Sequence, residues 1–267
     1  MISDRPVALS IAGSDNSAGA GVQADLKTFS TLGVYGLTAL TCVVAEVPGK
    51  VTSIHAVDEE TVRDQIRLSF EAFPVHAVKT GMLLTSEIIG AVCDSLEDRN
   101  PVLVVDPVMV ATSGHSLLKE GAMELYKERL FGMATLITPN LDEASALVGR
   151  PIRSLDEMRE AGSELADRHG VVFLIKGGHL EGNIATDLLF AGGEVIEFSA
   201  HFISGVSTHG TGCTYSAAIT ANLAKGLPLV SAVADAKKFV TRAIQSHFRW
   251  THETAHIDAL NHFMLPP

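Results

Sequence analysis

Apolar positions fall into two periods along this chain. Near-continuous runs rich in Val, Ile and Leu occupy residues 6–13, 36–46, 76–82, 101–109, 135–140 and 171–178, and each predicts a strand buried on both faces. Residues 21–33, 58–73 and 155–170 instead repeat their apolar positions at helical spacing. Residues 185–200 read as an antiparallel hairpin turning at Ala191-Gly192-Gly193, and two long helices follow over about 211–225 and 228–248. Strands alternating with helices predict an α/β fold, a mostly parallel central sheet with helices on both faces. No Pro/Ser-rich linker, low-complexity tract or internal repeat interrupts the pattern, so a single domain over residues 1–267 is expected.

Sheets of this kind gather ligands where strands end and helices begin. The polar strand ends here are Ser14-Asp15, Glu46, Lys79, Asp106, Asn140 and Lys176. Composition narrows what such a crevice holds. Lys and Arg number 20 against 31 Asp and Glu, a net charge of −11, which argues against nucleic acid or an anionic membrane as partner. An anionic ligand would have to be held locally, by backbone amides, a placed lysine or a metal ion. No run approaches the roughly 20 apolar residues of a membrane span. The N-terminal residues enter a strand pattern with no leader-like segment before it. Cys42, Cys93 and Cys213 are few and widely spaced, which argues against a structural zinc or a disulfide framework; the expectation is a cytoplasmic protein.

The sharpest local signal is "STHGTGCT", residues 207–214, just ahead of a helical run. Gly210 and Gly212 allow backbone conformations closed to other residues, so successive amides can converge into an anion nest. The helix starting near Thr211–Cys213 adds its positive end. Such a mouth suits a phosphate whose charge grows during transfer. A cysteine there, Cys213, would have its thiolate favoured and its pKa lowered; packing under a tight loop is the alternative.

The first loop contains Gly19-Ala20-Gly21-Val22-Gln23-Ala24, which fits the loose dinucleotide pattern, with Glu46 where a ribose-binding acid would sit. Against that, the polar insert Ser14-Asp15-Asn16-Ser17 separates the strand from the glycines. A pocket for a small polar substrate suits the insert better, with Asp15 and Glu46 as hydrogen-bonding groups; an Asx turn is the plain reading of Asp15. Asp106 ends a buried strand. Asn140 and Glu143 are spaced either as a capping box or, with Asp106, as oxygen ligands for Mg²⁺ and its water shell. Lys176, at the tip of an apolar strand beside two glycines, is placed to touch a phosphate as a point charge. The Walker A and G-x-S-x-G patterns are absent from the sequence, which argues against a P-loop kinase and weakens a hydrolase reading.

Taken in order, "LSIAGSDNSAGAGVQADLKTFSTLGVYG", "VKTGML", "VVDPVMVATSGHSLL", "LITPNLDEASALVG", "LIKGGHL" and "THGTGCTYSAAI" resemble the hydroxymethylpyrimidine/phosphomethylpyrimidine kinases of thiamine biosynthesis. These are ribokinase-like kinases and close relatives of the pyridoxal kinases. The resemblance runs from about residue 7 to about residue 245. It implies a ribokinase-like αβα sandwich, ATP and Mg²⁺ near the glycine loop, and Lys176, Asp106, Glu143 and Thr208 around the triphosphate, with Thr211 at the helix mouth. It also implies Cys213 in the slot of the base, a pyrimidine ring among Gly13, Ala20, Glu46 and Met82, and a homodimer. Three stretches depart from the family. Glu46-Val47-Pro48 replaces a Gln-Asn-Thr, "GVST" at 205–208 replaces a stretch with Lys-Asn-Thr, and the C-terminal "WTHETAHIDALNHF" replaces a Gly/His-rich run. The rivals are a pyridoxal or pyridoxine kinase on the same fold, a weakly catalytic ligand sensor, and an NAD-dependent oxidoreductase.

Overall fold

The computed structural model describes residues 5–109, 121–178, 180, 182–207, 209–252 and 255–263. In chain order the elements are β1 (Val7–Ala12), α1 (Gly21–Thr31), β2 (Tyr35–Leu40), β3 (Cys42–Val47), β4 (Lys50–Ala56), α2 (Glu59–Ala72), β5 (Val75–Thr80) and α3 (Ser86–Leu96). Then come β6 (Val102–Val105), α4 (Ala122–Leu125), which runs on through a π turn and a 3₁₀ turn to Met133, β7 (Leu136–Ile137), α5 (Leu141–Val148), α6 (Leu155–His169) and β8 (Phe173–Gly177). The chain finishes with β9 (Ile184–Ala191), β10 (Glu194–His201), α7 (Thr211–Ala224), α8 (Leu229–Gln245), β11 (Phe248–His252) and β12 (Ala255–Ala259).

Eight strands form one sheet in the order β10-β9-β8-β7-β6-β5-β1-β2. The run from β8 to β2 is parallel, and β9 and β10 add an antiparallel edge. The period-2 alternation of strands sends successive side chains to opposite layers. Leu9, Ile11, Val78, Leu103, Val105, Ile137, Phe173 and Ile175 pack under α2–α6. Val104, Leu136, Leu174 and Leu189 pack under α7 and α8, and Ala8 and Ala77 under α1 and α7. This is the expected doubly wound sandwich.

Three features depart from the sequence expectation. The run 36–46 is not one strand: it breaks at Thr41, whose hydroxyl donates to the Met82 carbonyl at 2.6 Å. Its second half, β3, leaves the main sheet and pairs antiparallel with β4, which the apolar pattern does not signal because residues 50–55 are all exposed. The second long helix stops at Gln245, and the hairpin β11–β12 follows where helix is expected to continue to 248. The hairpin at 191–194 turns on Gly192 and Gly193, both with positive φ (60° and 82°), as a two-residue turn between right-twisted strands requires.

Candidate active site

A cleft of about 770 Å³ opens along the C-terminal ends of the parallel strands. One end is walled by Gly13, Ser14, Ala20, Val44, Glu46 and Met82; the other by Gly178, Phe202, Ile203, Tyr215, Val240 and Ile244. Between them lie Asp106, Glu143, Lys176, Gly210, Thr211, Gly212 and Cys213. Of the substrate, nucleotide and catalytic residues expected from sequence, the cleft therefore gathers all but Asp15, which lies behind its wall, and Thr208, which lies outside the described residues; the polar strand end Lys79 lies beneath it.

Two helix mouths meet in the middle of it. Helices α2, α3, α5 and α6 begin with a side-chain cap from Asp58, Thr85, Asn140 and Ser154, and each carries an acid in its first turn. Helices α1 and α7 have neither. In α1 the Gly21 amide points at the Cys213 sulfur and the Val22 amide donates to the Gly13 carbonyl at 3.0 Å, whereas the first-turn amides of α7 have no capping side chain beside the positive end of the helix. The two helices approach closely because Gly210, φ +79°, lies on the Gly19 carbonyl: a Cβ there would sit 1.8 Å from that oxygen. Gly212 differs from expectation. It has no left-handed backbone and belongs to α7; its missing side chain instead leaves room for the Lys176 ammonium, which a Cβ would meet at 3.3 Å. The Thr211 hydroxyl oxygen is buried at this mouth without a hydrogen-bond partner, a polar atom fitted to a ligand oxygen.

Lys176 Nζ lies 2.8 Å from Asp106 Oδ1, which also accepts from Thr138 Oγ1 at 3.1 Å, while Oδ2 accepts from Ser216 Oγ at 3.1 Å. Burial works against the Asp106 charge, and the ammonium groups of Lys176 and Lys79 outweigh it, so the carboxyl is held below its usual range. Glu143 completes a capping box: its Oε2 accepts from the Asn140 amide at 2.8 Å, and Asn140 Oδ1 accepts from the Glu143 amide at 2.8 Å. Burial, with the neighbouring Asp106 charge adding to it and Lys176 opposing, pushes Glu143 up to about 7.

Cys213 overturns one expectation. Its thiol is pushed up to about 11 by burial, against the nearby Lys79 charge and a hydrogen bond from the Gly21 amide. The two helix mouths reach the sulfur, but desolvation decides its charge, and the resting group is a thiol. Asp15 overturns another. Its Oδ1 accepts from the Ser17 amide at 2.7 Å, and its Oδ2 from the Gly19 and Ala20 amides at 3.1 and 2.8 Å. His209 Nε2 stands 3.0 Å from the same Oδ2. The carboxylate shapes the first loop and ties it to the glycine turn, and Ser14 takes the place on the cleft wall. Burial alone would raise the Asp15 pKa; these hydrogen bonds, His209 foremost, drive it well below the carboxylate range, and the Asp15 contact raises that of His209. Glu46 does face the cleft, half-buried, its carboxyl raised by burial and by the Asp15 charge.

Sequence reasoning passed over His209, Ser216 and Asp25, the buried partner of Lys79. His209 stands inside the glycine motif, and Ser216 one helical turn after Gly212, so spacing carried a signal for both. Lys79 was legible as a polar strand end, but it lies beneath the cleft, not on its wall.

The fold and this cleft define a small-molecule kinase of the ribokinase-like class, with the phosphoryl donor ATP that such kinases use. The family model for phosphomethylpyrimidine kinase matches residues 15–258, and the chain belongs to that family. It is 46% identical over 241 residues to a hydroxymethylpyrimidine/phosphomethylpyrimidine kinase of Rhizobium meliloti (strain 1021), covering 90% of this chain and 91% of the relative. Among solved structures it is similar to the phosphomethylpyrimidine kinase of Clostridium difficile 630, with a TM-score of 0.79 at 39% identity over 90% of this chain and all of that one. It is also similar to the ADP complex of Bacillus subtilis pyridoxal kinase, with a TM-score of 0.87 at 37% identity over 96% and 98% of the two chains.

Proposed function

We propose that this chain, acting as one domain, transfers the γ-phosphoryl group of ATP to 4-amino-5-hydroxymethyl-2-methylpyrimidine and to its monophosphate, the activation steps of thiamine biosynthesis. The observation that carries this reading is the meeting of two uncapped helix mouths at Cys213 in the middle of one cleft. The pyrimidine takes the end walled by Gly13, Ala20, Glu46 and Met82, with Glu46 accepting from its amino group. The nucleotide takes the end toward Tyr215 and Ile244. The acceptor oxygen forms its bond to phosphorus as the bond to ADP breaks, and the first-turn amides of α7, with Thr211 and Lys176, hold the charge on the moving group. In a loose transition state the acceptor oxygen needs little activation, so a protonated Cys213 suffices to orient the hydroxyl, whose proton passes late to an oxygen of the transferred phosphoryl group and from there to solvent.

Asp106 and Glu143 both face the cleft with their oxygens engaged by protein donors. That arrangement fits Mg²⁺ gripped through its water shell and the phosphates, the usual habit of the ion. When bound, Mg²⁺ supplies charge neutralisation at the phosphate oxygens. Thr208 is part of the nucleotide side of this reading. A homodimer in the cytoplasm completes it. Val43 and Val47 of β3, exposed and outside the cleft lining, are the apolar positions for a second copy, whereas Val51 and Ile54 of β4 line the cleft itself; no helix among the described residues is long and apolar enough to cross a membrane.

A pyridoxal or pyridoxine kinase is the second reading, favoured by the likeness to the Bacillus subtilis pyridoxal kinase and by Glu46 in place of the family's glutamine. Incubation with ATP and each alcohol in turn, read by mass for one or two added phosphates, separates them. Addition of two phosphates to the pyrimidine with kcat/KM above that for pyridoxine supports the first reading; the reverse order supports the second, and ATP binding without turnover leaves a sensor.

A further inference from the structure

None of the described residues of the hairpin β11–β12 lines the cleft wall, yet its polar side chains reach the segment that leads into Gly210. Asp258, only 3% exposed, accepts from the Ser207 amide through Oδ2 at 3.0 Å. Arg249 faces it directly across the hairpin and forks onto it, Nε to Oδ1 at 2.6 Å and a terminal nitrogen to Oδ2 at 2.9 Å. The same guanidinium donates to the Gly205 carbonyl at 2.6 Å. One ion pair therefore holds both a carbonyl and an amide of that segment, two residues apart. Two residues beyond Ser207, His209 is fastened to Asp15 on the first loop.

A second tie comes from the segment after the hairpin. His262 Nε2 meets Thr214 Oγ1 at 2.9 Å, one residue past Cys213, and the Thr31 hydroxyl of α1 donates to the His262 carbonyl. Burial, with Lys27 adding to it, holds the imidazole down at about 4, so at neutral pH this tie is a hydrogen bond between neutral groups. The hairpin also stands off the first loop across a cavity of about 470 Å³, lined by Gly19, Lys27, Phe248, Trp250 and Ile257. Its hold on the site thus runs through these polar contacts and not through continuous packing.

We propose that the C-terminal hairpin is the positioning element of the phosphoryl-binding mouth, with Asp258 and Arg249 as positioning residues that set the register of residues 205–207 and so the approach of Gly210 and α7 to the first loop. This rests on the reading of that mouth as the phosphoryl site.

The test compares wild type, Asp258→Ala, Asp258→Asn and Arg249→Met in steady-state kinetics and in amide hydrogen exchange of residues 203–212. Asn keeps an oxygen for the Ser207 amide; Ala does not. The expected result is a fall of about 10²-fold in kcat for Asp258→Ala, with both KM values within about threefold of wild type, because misplacement near the chemistry costs the transition state more than the ground state. Asp258→Asn keeps kcat within about threefold of wild type. Arg249→Met, the milder lesion, loses about tenfold in kcat and accelerates exchange at 203–212 alone. Unchanged kcat in Asp258→Ala, or equal losses in the Ala and Asn variants, overturns the proposal. If wild type transfers no phosphoryl group to any alcohol, the reading of the mouth fails on its own. Exchange then still decides the clamp: wild-type protection of residues 203–212 in Asp258→Ala overturns it, and faster exchange there, spared in Asp258→Asn, upholds it. Should Asp258→Ala not fold, Arg249→Met and Asp258→Asn carry the comparison.

Discussion

Lys79 Nζ lies 2.8 Å from both carboxylate oxygens of Asp25, and neither side chain has any exposed surface. Asp25 also accepts from Ser10 Oγ at 2.5 Å, so every partner of this buried pair comes from β1, β5 or α1. Burial alone would strip the charge from both groups. For Lys79 the Asp25 carboxylate more than compensates and its pKa rises, with Cys213 and Asp106 contributing in the same sense.

Removing one partner leaves the other charge unpaired in the core. Lys79→Met is therefore expected to destabilise the fold by about 3–5 kcal/mol, measured by denaturant midpoint at pH 7, while Lys79→Met combined with Asp25→Leu regains most of that loss. Turnover separates structure from function here. If the cation also supports the charge developing at the phosphoryl mouth, the double variant stays slow despite its recovered stability. A double variant with wild-type kcat would confine the pair to the core.

The Cys213 thiol, at about 11, is mostly protonated across the physiological range. Alkylation of Cys213 followed by peptide mass is expected to be slow at pH 7 and to climb steadily toward pH 10, because only the thiolate reacts. A reactive, low-pH thiolate would restore the sequence expectation. Cys213→Ala is expected to lower kcat by about 10²-fold with little change in ATP affinity, the scale of one lost contact to the reacting centre.

The main sheet was legible because parallel strands buried on both faces leave unbroken Val/Ile/Leu runs, and the glycine mouth because Gly210 and Cys213 stand against a helical pattern. The flap strand β4 was not, since an exposed two-stranded ribbon needs no apolar run. Charge states were the other blind spot. Motif spacing placed Cys213 at a helix mouth and Asp15 beside a glycine loop, but the first is ruled by desolvation and the second by amides of its own loop. Both depend on what folds over them from elsewhere in the chain. The Asp258–Ser207 contact spans 51 residues and had no local signature at all.

Glu143 offers a pH test with a definite sign. Its folded pKa, about 7, lies above the ordinary glutamate value of 4.5. Such a group contributes stability that is fully present below pH 4.5 and is lost as pH rises through about 7. Gln mimics the protonated form and still accepts from the Asn140 amide. Glu143→Gln is thus expected to match wild type in thermal midpoint near pH 4.5 and to have a higher midpoint above pH 7.5, a gain in stability on the order of 3 kcal/mol. Equal midpoints at pH 8 would show that the carboxylate is accommodated as a charge. Turnover is expected to fall in the same variant if the carboxylate grips hydrated Mg²⁺.

Gly212→Ala sets stability and activity against each other. Gly212 sits in the first turn of α7 with ordinary helical backbone, so Ala is favoured there by up to about 0.5–1 kcal/mol through helix propensity. Its new methyl would lie 3.3 Å from Lys176 Nζ and 3.8 Å from Asp106 Oδ2, pressing on the ion pair at the point where the transferred group passes. A flexible ammonium can give way, so folding survives. The expected outcome is an unchanged or higher melting temperature together with a kcat reduced by about 10²-fold, the cost of displacing a charge-stabilising group by a fraction of an ångström to 1 Å. Gly210→Ala is the contrasting control: at φ +79°, with its Cβ 1.8 Å from the Gly19 carbonyl, it is expected to lose stability and turnover together. A Gly212→Ala enzyme with wild-type kcat would mean that Lys176 does its work elsewhere in the cleft.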